Sequence, residues 1–230
     1  MDNRYLRNFN ILSNKEQKIL NNSKVCIIGL GGLGGNIAEM LARIGIGNLV
    51  LVDGDIFETS NLNRQILCTE KLIGTSKSQA CYNRIKKINS SIKIKKINEF
   101  FTKKNADLLL KDVNLVVDAL DSIDDRFILQ TQAEKFKIPI VSGAIAGTSG
   151  QVITIFPKDK GFNLVYGERK TKKIQGAEKH MGNLCFTACF IASIQVSETI
   201  KVLLNKKNIL RNKLLIADLM TNFFEIVNLK

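Results

Sequence analysis

The order of apolar and polar positions along this chain is that of a protein alternating strands with helices. Residues 24–30, KVCIIGL, make a continuous apolar run bounded by charge and glycine. That is the pattern of a strand buried on both faces, and it is the first regular element expected. It leads straight into GLGGLGG at residues 29–35. Beyond the glycines, Ile37, Met40, Leu41 and Ile44 recur at helical spacing as far as Gly45 and Gly47, natural helix stops. NLVLVDGD then returns as a second strand, so that strand, glycine turn, helix and strand form a βαβ unit.

The alternation continues with helices expected over residues 77–89, 106–111 and 125–137 and strands over 92–97, 114–120 and 138–146. Such regularity predicts a parallel, doubly wound sheet. After Gly150 the rhythm changes: QVITIFP is a strand with no helix behind it, and residues 158–181 are polar and dotted with glycine. Loops of that length inside a compact domain tend to be functional or mobile. An apolar helix over residues 184–204 and two short strands, KLLIADL and NFFEIVNL, end the chain. The expected fold is α/β: one Rossmann-like domain over residues 1–230, mostly parallel, with a C-terminal antiparallel extension. Its nucleotide-binding core would cover residues 20–157 and its C-terminal helix and strands residues 183–230.

Composition narrows the partners. The 230 residues are 45% hydrophobic, ample for a sizeable core. Lys and Arg number 34 against 21 Asp and Glu, a formal net charge of +13, which attracts anions: nucleotides, RNA or an acidic protein. Many lysines sit in runs such as RIKKIN and ERKTKKIQ that read as solvated faces, and Trp is absent, unlike a groove that interleaves bases with aromatics. No apolar run reaches the ~20 residues of a membrane span and the N-terminus has no signal-peptide core, so a cytoplasmic protein is expected. The five cysteines, Cys26, Cys68, Cys81, Cys185 and Cys189, suggest no disulfide framework, and paired CxxC motifs for zinc are absent.

The candidate chemistry follows the strands. Gly29, Gly31 and Gly34 satisfy G-x-G-x-x-G directly after a strand and at the start of a helix, where backbone N–H groups can face phosphate. Asp53, about 20 residues further on at the end of the second strand, can accept both ribose hydroxyls. These features allow NAD as well as ATP. Arg64 and Lys77, a fork and a point charge, are the types that clamp triphosphate oxygens, while Asn61, Asn63 and Gln65 can fix their geometry. Taken alone, NLNRQ also reads as a surface loop with a satisfied Asn turn. Asp118 and Asp121 close a buried strand at its carboxyl end, and Asp121 is the better candidate for Mg2+, with Asp118 capping the loop backbone or the next helix. Asp124 and Asp125 read as N-terminal helix caps.

In order, the pieces RYLRN, GLGGLGG, VDGD, NLNRQ, GTSKSQA and DALDS closely resemble the ThiF/MoeB/HesA family, bacterial relatives of ubiquitin-activating enzymes. The resemblance runs from Arg4 through ASIQVSETIKVLL. It implies an enzyme that uses ATP and Mg2+ to adenylylate the C-terminal Gly-Gly carboxylate of a small ubiquitin-like sulfur carrier, releasing pyrophosphate. It implies a nucleotide site of Gly29, Gly31, Gly32, Gly34, Asp53, Asp55, Ser60, Asn61, Leu62, Asn63, Arg64, Gln65, Lys77, Asp121 and Ser122. By the same likeness Arg64, Lys77 and Asp121 act on the phosphates and Mg2+, and Arg7, in a match to R-Y-x-R, reaches into the partner subunit's site of a homodimer. Residues 158–181 would border the groove for the carrier's tail.

Two departures bear on the chemistry. Without the family's CxxC pairs, no zinc is predicted. Where some relatives have a cysteine shortly before a GVxGP segment, alignment on SIQVSETIK puts Glu178. Cys185 and Cys189, one helical turn apart, read as buried packing, although a place near a helix start favours a reactive thiol for Cys185. The expectation is therefore adenylylation without an enzyme thioester, the acyl-adenylate passing to an external sulfur donor. His180, the single histidine, reads as a loop residue. A branch of the superfamily that activates a carboxylate on a modified tRNA adenosine is the alternative, suited by the charge and the missing thiol. A NAD-binding regulator or reductase would leave Arg64, Lys77 and Asp121 idle.

Overall fold

A computed structural model describes residues 3–168 and 181–229, so Glu178, His180 and most of the basic stretch ahead of them lie outside the described residues. Eight strands form one sheet: β1 (Lys24–Ile28), β2 (Asn48–Val52), β3 (Lys93–Ile97), β4 (Leu115–Asp118), β5 (Ile140–Ala146), β6 (Ser149–Ile155), β7 (Lys213–Asp218) and β8 (Phe223–Asn228). Their spatial order is β3-β2-β1-β4-β5-β6-β7-β8. The first five are parallel and the last three pair antiparallel, as the change of rhythm after Gly150 predicts. β1 and β4 are apolar and almost wholly buried because helices cover both faces. β3, with its KIKKI pattern, is mostly exposed at the sheet's edge, where lysines discourage further strand pairing.

Seven helices are described: α1 (Asn14–Asn22), α2 (Gly32–Ile44), α3 (Lys77–Ile88), α4 (Ala106–Leu110), α5 (Ile123–Lys135), α6 (Phe162–Tyr166) and α7 (Cys185–Leu203). α1 precedes β1, so β1 is not the first regular element. Only Gln17 and Leu20 of α1 are buried, too few to print an apolar stripe. Its signal in the sequence is the capping box, in which Ser13 Oγ accepts from Glu16 N and Glu16 Oε2 accepts from Ser13 N. The short 3-10 helix Asn3–Asn8 is anchored by buried Tyr5, whose hydroxyl accepts from Asn89 Nδ2 at 2.8 Å, with Arg4 Nη1 donating to Asn89 Oδ1 and Asn8 Nδ2 to Gln17 Oε1. α6 falls within the stretch expected to be loop.

The fifth helix starts at Ile123, two residues earlier than the pattern suggests, because Ser122 is its N-cap and accepts from Asp125 N. Asp124 and Asp125 are therefore first-turn residues, not caps, where their charge still suits the helix dipole. α7 is 19 residues long and apolar enough, by length and composition, to cross a membrane, which the run-by-run reading of the sequence did not register. Here it packs against α2 and across β5 and β6, with Thr187, Gln195, Glu198 and Thr199 buried, the position of a core helix.

Candidate active site

β1, β2 and β4 end side by side, and the loops beyond their carboxyl ends wall a cleft of about 850 Å3. This is where an open α/β sheet binds ligands. Gly29, Gly31 and Gly32 line it, with Gly31 at the N-cap of α2 and no side chain closing the helix end. The first N–H groups of α2 thus remain available to an anion. Gly34 lies behind the cleft. A Cβ there would stand 1.8 Å from the Gly29 carbonyl oxygen, so this glycine lets helix and turn touch.

Asp53 sits beside that turn, its two carboxylate oxygens accepting from Leu30 N at 2.7 Å and Asp55 N at 2.8 Å. The loops after β1 and β2 are thereby fixed to one another. Burial pushes the Asp53 carboxyl above its ordinary range, against the pull of those two N–H groups and of Lys77. Lys77 opens α3 and is buried, donating to Asp55 Oδ2 at 2.9 Å, while Asp55 itself is half exposed.

The NLNRQ loop divides its labour. Asn61 and Gln65 are buried, and Asn61 Oδ1 accepts from Glu58 N at 3.2 Å, closing the short 3-10 helix Thr59–Asn61. Arg64 Nη1 donates to Ser60 O at 3.0 Å and Asn63 Oδ1 at 2.8 Å, which leaves the rest of the guanidinium for a ligand. Asn63 Nδ2 donates to Asn183 O, joining this loop to the approach of α7. Asn61, Arg64 and Gln65 line the cleft. Ser60, Leu62 and Asn63 stand outside the lining, the first and third as supports for Arg64.

From β4, Asp121 and Ser122 reach the cleft. Asp121 is exposed, while Ser122 is engaged in capping α5. Asp118 is wholly buried and takes no place in the lining. Its oxygens accept from Leu120 N and Ser142 Oγ, and Arg126 lies 3.3 Å away, so it braces the loop that presents Asp121. Burial raises the Asp118 carboxyl, with Arg126 opposing. Arg126 also donates to the Leu120 and Gly143 carbonyls, and Gln195 of α7 donates to the Asp118 carbonyl. Sequence reasoning missed Arg126, Asn183 and the Phe100–Phe101 pair, all in the lining. Only the aromatic pair following a strand carried a local signal.

Arg7 lies on the 3-10 helix whose Tyr5 packs on Gly45 and Asn89, the residues that close α2 and α3. Those helix ends lie at the amino ends of the strands, so Arg7 is on the side of the sheet opposite its own cleft. Cys26, Cys68 and Cys81 are buried, and the Cys26 thiol is pushed up to about 12 by burial. Cys185 is exposed and Cys189 half-buried, so buried packing holds for neither. Both lie on the first turns of α7, which open toward Asn36 of α2, an acceptor for the Cys189 thiol.

The donor set fits a nucleoside triphosphate. The helix end, Arg64 and Lys77 supply positive partners, Asp53 an acceptor, and Gln65 Oε1 and Asn183 Oδ1 are buried in the cleft wall without a partner among the described residues. A sequence profile described as "ThiF family" matches residues 3–230. The chain is 30% identical over 205 residues to "SAMP-activating enzyme E1" of Haloferax volcanii, covering 89% of this chain and 76% of that protein. It is 31% identical over 219 residues to "Molybdopterin-synthase adenylyltransferase" of Escherichia coli, covering 93% and 86%. Other curated relatives are longer, the chain spanning about half of their length. Among solved structures, Escherichia coli MccB with MccA-N7isoASN superposes at a TM-score of 0.85 over 100% of this chain and 73% of that one, and at 21% identity this likeness speaks for the fold. With the glycine turn, the cations and the acids of the cleft in the positions described, this chain, an ATP-dependent adenylyltransferase, belongs to the ThiF family.

Proposed function

We propose that this enzyme activates the C-terminal carboxylate of a small ubiquitin-like sulfur carrier as an acyl-adenylate, releasing pyrophosphate. The observation that carries the reading is the meeting of Arg64, Lys77 and Asp121 with Asp53 and the glycine turn in one cleft. The names of relatives support it, one a SAMP-activating enzyme and another a "Sulfur carrier protein ThiS adenylyltransferase".

A carboxylate attacking an α-phosphate needs alignment and charge neutralisation more than it needs a base. Asp53 would hold the ribose, and the N–H groups of Gly31 and Gly32, with Arg64 and Lys77, the phosphates. Lys77, already buried against one carboxylate, can exchange Asp55 for phosphate oxygen without first losing water. Asp121, an exposed carboxylate beside the phosphate-facing groups, suits Mg2+, which binds through one or two carboxylates plus substrate phosphates. The ion would neutralise charge on the phosphates. With Glu178 where some relatives have cysteine, the acyl group would pass directly to the sulfur of an external donor, the bond from the acyl carbon to AMP breaking and AMP leaving.

ATP–pyrophosphate exchange tests the reading: exchange that appears only with a Gly-Gly-ended carrier supports it. The net charge of +13 also suits the tRNA-modifying branch as a second reading, and exchange stimulated by tRNA in place of a carrier would establish that one.

A further inference from the structure

The carboxyl ends of the parallel strands set the parts of the cleft in a line. Sheet order places β3, β2, β1 and β4 side by side, and each delivers one group: Phe100 beyond β3, Asp53 beyond β2, the glycine turn beyond β1 and Asp121 beyond β4. If the last three hold ribose, phosphates and metal in that order, the base attached to the ribose falls at the β3 end. Phe100 lines the cleft there and is 63% exposed, although no described ring stacks on it. An aromatic ring left so open in a cleft has one face free to stack.

Its position is built in. The loop is tied down by Asn105, whose Nδ2 donates to the Phe100 carbonyl at 2.8 Å and whose Oδ1 accepts from Thr102 N at 2.9 Å. The ring lies on Gly54, the residue after Asp53. A Cβ at that glycine would come within 2.7 Å of Phe100 N and 2.8 Å of the ring. Gly54 does not hold a positive φ, so close approach, not backbone conformation, is what asks for glycine there. Ile56, Phe101, Leu120 and Ile123 add the apolar lining.

We propose that Phe100 is the stacking platform for the adenine ring, and that Gly54 is the glycine that lets the platform lie against the ribose-binding acid. The inference rests on the cleft being the ATP site, and it is independent of which acyl substrate is used.

Equilibrium binding to the 230-residue chain tests it without any carrier, with Mg-ATP and inorganic tripolyphosphate as separate probes. Phe100→Ala should raise the Kd for ATP about 10-fold, as loss of base stacking does. It should leave tripolyphosphate binding unchanged, since that probe has no base. Phe100→Trp should keep the wild-type Kd, and Gly54→Ala, which displaces the ring, should weaken ATP as Phe100→Ala does. An unchanged Kd for ATP in Phe100→Ala overturns the proposal, as does equal weakening of tripolyphosphate. A carrier KM that rises with ATP binding intact would assign Phe100 to protein docking instead and also overturns it. Failure of the carrier reading is distinguishable: exchange with the carrier would be absent while ATP binding still depended on Phe100.

Discussion

At the level of single residues, Arg64 and Asp121 should matter most to chemistry and little to folding. Both are at least partly solvent-exposed and face the cleft, so truncation leaves no buried group unpaired. Arg64→Ala and Asp121→Ala should each lower carrier-dependent exchange by roughly 10²–10³-fold with little change in Tm, as removal of a preorganised charge-stabilising group does. Near-normal exchange in Arg64→Ala would remove it from the phosphate clamp. Asp53 should behave differently because burial raises its carboxyl. Its contribution to stability is present below the unfolded pKa of about 3.9 and is lost as pH rises through the higher folded value. The anion that the proposed ribose contact requires is thus held against a folding cost. ATP binding should weaken as pH falls toward that raised pKa, at a higher pH than a free aspartate would set, and a profile flat down to pH 4 would contradict the assignment. Residue types and order made Asp53, Arg64, Lys77 and Asp121 legible in the sequence. Arg126 and Asn183 were not, because each acts through partners on other elements that no spacing motif links to it, Arg126 with Asp118, Ser142 and Gly143 and Asn183 with Asn63.

At the level of elements, the parallel strands and α2 were legible because burial on both faces and a 3.6-residue period leave direct marks on sequence. α1 was not, since it buries only two side chains and is identified by its cap. The status of Cys185 was misread for a related reason: an apolar helix pattern gives the period of burial but not which end emerges from the fold. The turn between β1 and α2 gives a stability test of its own. Gly34→Ala would drive a methyl into the Gly29 carbonyl, 1.8 Å from the ideal Cβ, where backbone and not a flexible side chain must yield. Overpacking of this kind should cost about 1–3 kcal/mol in denaturant unfolding, along with weaker ATP binding as the turn shifts. A variant as stable as the wild type would mean that the helix can slide away from the turn.

At the level of the whole molecule, Arg7 stands apart from the cleft of its own chain, because its 3-10 helix packs at the C-terminal ends of α2 and α3, across the sheet from that cleft. The resemblance carried by RYLRN implies that this residue serves a second subunit, and the geometry within the chain is consistent only with service in trans or none. Complementation separates these. In a homodimer, Arg7→Ala and Arg64→Ala would each disable both sites, one by removing the arginine lent across the interface and the other by removing the arginine of the cleft itself. Mixing the two variants under subunit exchange would produce heterodimers in which one site has its own Arg64 and receives Arg7 from the partner, while the other site lacks both. With random pairing, half the dimers are mixed and each mixed dimer has one intact site, so exchange should recover to roughly a quarter of the wild-type level. If Arg7 acted within its own chain, or only stabilised the fold, mixed dimers would contain no repaired site. Activity would then stay at the sum of the two inactive variants, and the shared-site reading would fall.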